Sequence, residues 1–123
     1  MAQKDLTPMQ IERELLRLKS KLGQAREKLN QRAEDYLNAT KEYKTEYAKA
    51  FVTAKMQGDK TIKECEMLAQ QATAHLEAMY KATEQLVLNE RKAVDTLLAE
   101  VDITRSLYSK AYREQDQYFH KGE

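Results

Sequence analysis

Glycine, proline, cysteine and tryptophan are nearly missing from this chain. Its 123 residues hold 3 Gly, 1 Pro, 1 Cys and no Trp. So few breakers leave nowhere for the turns of sandwiches and barrels or the glycine loops of doubly wound sheets. With one thiol, Cys65, no intrachain disulfide can form, which fits a reducing compartment. Apolar runs such as Leu86-Val87-Leu88 stop at three residues, where a membrane span needs about 20. Met1-Ala2-Gln3-Lys4-Asp5 has no apolar segment of the kind a secretory signal carries. A cytoplasmic protein without membrane association is expected. An excess of one charge is also missing: 21 Lys and Arg stand against 20 Asp and Glu, a net charge of +1. That excludes a strongly basic nucleic-acid domain and an acidic tail.

What is present is helical pattern. Thr7, Pro8 and Gln10 occupy the N-cap, first and third positions of a capping box, with Leu6 and Ile11 placed for a hydrophobic staple. Apolar residues then recur at alternating steps of four and three: Ile11, Leu15, Leu18, Leu22, Ala25 and Leu29. Ala33, Tyr36, Ala39, Tyr43, Tyr47, Ala50 and Ala54 follow. Gly23 lies inside this run and is a candidate bend. The clear interruption is Met56-Gln57-Gly58-Asp59-Lys60-Thr61. Gly58 suits a left-handed helix end, and Thr61 with Glu64 repeats the capping box.

A second helix is expected from there, with a seam through Leu68, Ala72, Leu76, Met79, Thr83, Leu86, Ala93, Leu97, Val101, Tyr108 and Ala111. Val87, Val94, Leu98, Ile103 and Leu107 form a second stripe beside it. Two stripes are wider than one partner helix can cover. Leu86, Val87, Val94, Leu97, Leu98, Val101, Ile103, Leu107 and Tyr108 are therefore the candidate interface to a second copy or another protein. The expected fold is all-α: one domain over 1–123, a long antiparallel two-helix hairpin, coiled-coil-like and oligomeric. Its helices should cover about 8–57 and about 62–119, with a turn at 58–61, giving lengths of about 75 and 87 Å. A hinge at Gly23 would convert it to a three-helix bundle.

Chemistry is sparse. Cys65, His75 and His120 show no metal-ligand spacing, and no Gly-rich phosphate loop occurs. Cys65 reads as a small buried hydrophobe, His75 as a boundary residue, and Phe119 to Glu123 as a fraying tail. No convergent polar cluster is legible, so neither enzyme activity, cofactor, metal nor small-molecule substrate is expected. Arg91 with Asp95, and Asp102 with Arg105, read as helix-surface pairs. Thr83, Glu90 and Thr104 fall on the seam, where polar residues cost stability and can set register. Tyrosines interleave with cations in two places. Tyr36, Tyr43 and Tyr47 lie at seam spacing, with Lys41, Lys44, Lys49 and Lys55 around them. Tyr108, Tyr112 and Tyr118 accompany Arg105, Lys110 and Arg113. Aromatics among cations are what single-stranded nucleic-acid binding uses, and seam packing uses the same rings.

Residues from about Ala39 to Gln115 resemble small helical-hairpin proteins encoded by tailed phages. The shared pattern is an Ala/Tyr/Lys-rich first helix and the turn Ala54-Lys55-Met56-Gln57-Gly58-Asp59-Lys60-Thr61. An acidic stretch with Glu64, Glu66, Leu68 and Ala69 follows. Val94-Asp95-Thr96-Leu97 and Asp102-Ile103-Thr104-Arg105-Ser106-Leu107-Tyr108 complete it. The arrangement is also similar to UvsY-type recombination mediators. The resemblance implies a non-enzymatic accessory protein of DNA recombination or replication, acting in the bacterial cytoplasm. Its partners would be its own copies and single-stranded DNA or a recombination protein. Candidate DNA contacts are Lys41, Lys44, Lys55, Lys60, Arg105, Lys110, Tyr112 and Arg113. The rival expectation is a coiled-coil interaction module without nucleic-acid binding: an adaptor, an inhibitor of a host protein, or a secretion-type stalk or chaperone.

Overall fold

The computed structural model describes residues 7–121, with side chains through 116. The staple residue Leu6, the side chains of Tyr118, Phe119 and His120, and the terminal Gly122 and Glu123 lie outside the described residues. The described chain is all-helical: α1 spans Pro8–Met56, α2 Ile62–Ala72 and α3 Ala74–Lys121. The two long helices, α1 and α3, pack together.

Local chemistry sets the boundaries where it was expected to. The Gln10 amide donates to Thr7 Oγ1 (3.2 Å), and the Thr7 amide donates to Gln10 Oε1 (3.0 Å). Two amides at the start of α1 are thus satisfied reciprocally. At its end Gly58 takes φ +82°, and its amide donates to the Lys55 carbonyl. Thr61 is extended, and its hydroxyl accepts from the Glu64 amide at 3.1 Å, capping α2. α1 runs through Gly23 without a break.

The second helical stretch is not one helix. It is interrupted at Thr73, which holds φ −113° and ψ 12° and is 1% exposed. Its hydroxyl donates to the Ala69 carbonyl at 2.7 Å, alongside its own amide at 3.1 Å. A threonine bonding back to that carbonyl competes with regular helix and bends it. The ladder resumes at once, because the Glu77 amide donates to the Thr73 carbonyl at 2.9 Å.

Contacts sort the chain into two compact units. One joins 7–27 with 91–121, and the other is Lys28–Glu90. In the first, Ile11, Leu18 and Leu22 of α1 and Val94 and Val101 of α3 are buried, an aliphatic seam. Leu15, Ala25, Leu97, Thr104, Tyr108 and Ala111 are half-buried along it. In the second, the buried residues are small: Ala54, Cys65, Ala69, Thr73 and Val87. Tyrosines fill the middle. Tyr43 and Tyr80 have ring centroids 5.0 Å apart, and Tyr36 lies 6.5 Å from Tyr80. Lys28 meets Glu90 at 3.6 Å, and the Tyr36 hydroxyl meets Glu84 at 3.5 Å. Numbers rise along α1 as they fall along α3, so the helices of this unit run antiparallel.

The second seam follows the expected path at Leu76, Thr83, Leu97, Val101, Tyr108 and Ala111 and departs from it elsewhere. Leu68, Ala72, Met79, Leu86 and Ala93 are exposed, whereas Thr73, Tyr80, Val87 and Val94 turn inward. Thr73, Tyr80, Val87, Val94, Val101 and Tyr108 are spaced seven apart without a slip, which the expected path was not. On α1, Arg32 takes the half-buried position expected for Ala33. Its Nε is buried without a hydrogen-bond partner, and an unsatisfied buried donor costs about 1–3 kcal/mol. Arg32→Met should therefore raise stability by about 1–2 kcal/mol, read as a higher urea midpoint at unchanged slope.

Candidate interaction surfaces

The polar residues expected on the seam are there, and each has a local partner. Thr83 and Thr104 are half-buried and donate to the carbonyls of Tyr80 and Glu100, both at 2.8 Å. Glu90 pairs with Lys28. Satisfied hydroxyls cost little, so of the three only the Glu90 pair ties one helix to another. Arg91 with Asp95 and Asp102 with Arg105 form no ion pair, whereas Glu14–Arg17, Glu46–Lys49 and Glu77–Lys81 do.

The candidate nucleic-acid residues are scattered over helix faces. In the Lys28–Glu90 unit, Lys41, Lys44 and Lys55 are exposed off the seam, while Lys60 is half-buried and donates to Gln57. The aromatic rings nearest them in sequence are not free: Tyr36, Tyr43 and Tyr47 are half-buried and packed on one another or on Tyr80. In the other unit, Arg105, Lys110, Tyr112 and Arg113 are exposed. Arg105 and Tyr112, seven apart, share a flank of α3; Lys110 points about 200° away from Tyr112 around the helix. The Tyr112 ring stacks on Tyr108 at 6.2 Å, and Tyr108 donates its hydroxyl to Glu12 at 3.0 Å.

The candidate interface residues divide by phase. Val87, Val94 and Val101 are buried inside the chain's own packing, and Leu97 and Tyr108 are half-buried. That leaves Leu86 exposed in the Lys28–Glu90 unit and Leu98, Ile103 and Leu107 in the other. Sequence reasoning missed Met9, Leu16 and Leu37, all more than 60% exposed on α1. Their signal was available: each sits one residue outside a seam pair or at a seven-residue step from another.

The Lys28–Glu90 unit also has a groove of about 660 Å³ beside the α2–α3 break, lined by Glu42, Glu46, Lys49, Ala54, Leu68, Thr73 and His75 among others. Lys49 in its wall is already paired with Glu46. His75 is exposed, and Cys65 is fully buried. Among the described residues, no three His, Cys, Asp or Glu side chains are grouped as a metal ion would require. No described helix is long and apolar enough to cross a membrane. Comparison with protein-family models, curated proteins and solved structures finds no match to this chain.

Protonation ties the packing to pH. Burial pushes the Tyr43 phenol up, helped by Glu77 and the neighbouring tyrosines. The bond to Glu12 raises Tyr108, and the bond to Glu77 raises Lys81. Groups raised in the folded state contribute stability below their ordinary values, here 10.0 for tyrosine and 10.5 for lysine. That contribution is lost as pH climbs through the raised values. Glu14, lowered by its bond to Arg17, works in the opposite sense and contributes above 4.5. The urea midpoint should be flat through neutral pH and fall above pH 10.0, the ordinary tyrosine value. Tyr108→Phe should make that alkaline fall shallower; an identical fall would rule out the Glu12 contact as a source.

Proposed function

We propose that this chain is a non-catalytic interaction module, an antiparallel coiled-coil-like hairpin that works by pairing its exposed stripes with a second protein chain. The observation that carries the reading is the apolar surface left over after the seam is filled. In the unit of 7–27 with 91–121, Ile103 and Leu107, four residues apart on one flank of α3, are 62% and 40% exposed, beyond what α1 covers. Contiguous apolar surface of this kind marks protein contact sites. Adaptors, inhibitors and chaperone-like hairpins all use such a surface, and an oligomer of this chain would use it too.

A second reading draws on Tyr112. The ring is 59% exposed, shares a flank with Arg105 and follows Lys110 by two residues. Exposed rings beside cations support stacking on single-stranded DNA. That reading belongs with an accessory role in phage recombination or replication. The scattered positions of Lys41, Lys44, Lys55 and Lys110 favour the protein-interaction reading over it.

Charging the apolar stripe separates the two. Leu107→Glu should abolish capture of a protein partner in a pull-down or lower the mass seen in light scattering. Unchanged capture and unchanged mass would remove the α3 stripe as the contact. For the second reading, a labelled single-stranded oligonucleotide should bind at low salt and release steeply as salt rises; absence of binding at low salt discards it.

A further inference from the structure

The first unit carries an apolar stripe that its own packing does not use. Met9 and Leu16, seven residues apart on α1, are 62% and 67% exposed. The next seven-residue step is Gly23. A glycine inside a helix costs about 1 kcal/mol against alanine, and it leaves a gap in the surface where close approach of another backbone is possible. Among the described residues nothing fills that gap: a Cβ at Gly23 would meet nothing within 4 Å. The stripe therefore combines two large exposed side chains with a gap, all on one line of one helix.

Charges flanking the line decide what fits it. Glu12 and Lys19, also seven apart, lie beside it on the side of α3. Glu12 Oε1 accepts from Tyr108, which leaves its second oxygen open. Lys19 is exposed and makes no ion pair. A copy of α1 laid parallel would set Glu12 against Glu12 and Lys19 against Lys19. A copy laid antiparallel and centred on Leu16 sets each Glu12 against the copy's Lys19. It also places each Met9 over the copy's Gly23 and Leu16 against Leu16.

We propose that a second copy of this chain docks on the Met9–Leu16–Gly23 line of α1, antiparallel, with Leu16 on the two-fold axis. The contact is isologous, as closed dimers require. The missing side chain at Gly23 receives Met9 and lets the helices approach. The reciprocal Glu12–Lys19 pairs fix orientation more than they add affinity. The proposal rests on the interaction-module reading and names one of its partners.

The test is the mass of the full chain across a concentration series, by sedimentation equilibrium. The expected result is a reversible dimer. Leu16→Glu should weaken it at least about tenfold, because it places two like charges at the contact centre. Lys19→Glu should weaken it as well, and adding Glu12→Lys to that variant should restore it. Gly23→Leu should leave the single chain folded, since the space around it is open, and should weaken the dimer. Leu16→Cys should cross-link to itself on oxidation, whereas Leu37→Cys, equally exposed but 21 residues along the helix from the two-fold axis, should not. A chain that stays monomeric at every concentration overturns the proposal. So does a dimer that survives Leu16→Glu and is lost with Leu107→Glu; that outcome leaves the interaction-module reading standing with its contact on α3.

Discussion

Two packed helices can bury one stripe of each and no more. Every other feature of this chain follows from that geometric limit. The stripe that faces inward starts at the Thr73 break and runs down α3 in steps of seven through Tyr80, Val87, Val94, Val101 and Tyr108. Apolar residues one step before it stay in solvent, as Leu86 and Leu107 do. Side chains chosen for the stripe then differ between the two units. Aliphatic residues fill it in the unit of 7–27 with 91–121, while small residues and tyrosines fill it in Lys28–Glu90. The second kind of seam adds ring contacts and the Lys28–Glu90 pair to its small buried residues.

The ends of the helices were legible because their causes are local. Thr7, Pro8 and Gln10 act within one turn, as do Thr61 and Glu64, and Gly58 needs no neighbour to adopt its positive φ. The break at Thr73 was not legible. Thr96 and Thr104 bond back to their helices just as Thr73 does, without interrupting them. What distinguishes Thr73 is burial, and burial is a tertiary fact. The seam phase was ambiguous for another reason. Leu86 and Val87 are adjacent, as are Ala93 and Val94, so each pair offers two inward choices to any count of apolar spacing.

The candidate contact residues show the same limit from the functional side. Lys110, Tyr112 and Arg113 are close in sequence, yet 100° of rotation per residue spreads them around α3. Arg105 and Tyr112, farther apart in number, are the pair that shares a flank. Proximity along a helix is a poor guide to a surface, and multiples of seven are a good one. Met9, Leu16 and Gly23 obey that rule, but they lie off the internal seam, and a glycine in a helix reads first as a bend.

The single thiol offers a way to watch the Lys28–Glu90 unit move. Cys65 is 0% exposed, and it is the one cysteine in the chain. A thiol reagent can reach it only in molecules that have opened locally. Labelling at Cys65 is therefore a chemical clock whose rate counts opening events, without any engineered probe. Because the neighbouring seam is built from small residues and rings, that clock measures how often the least aliphatic part of the fold comes apart.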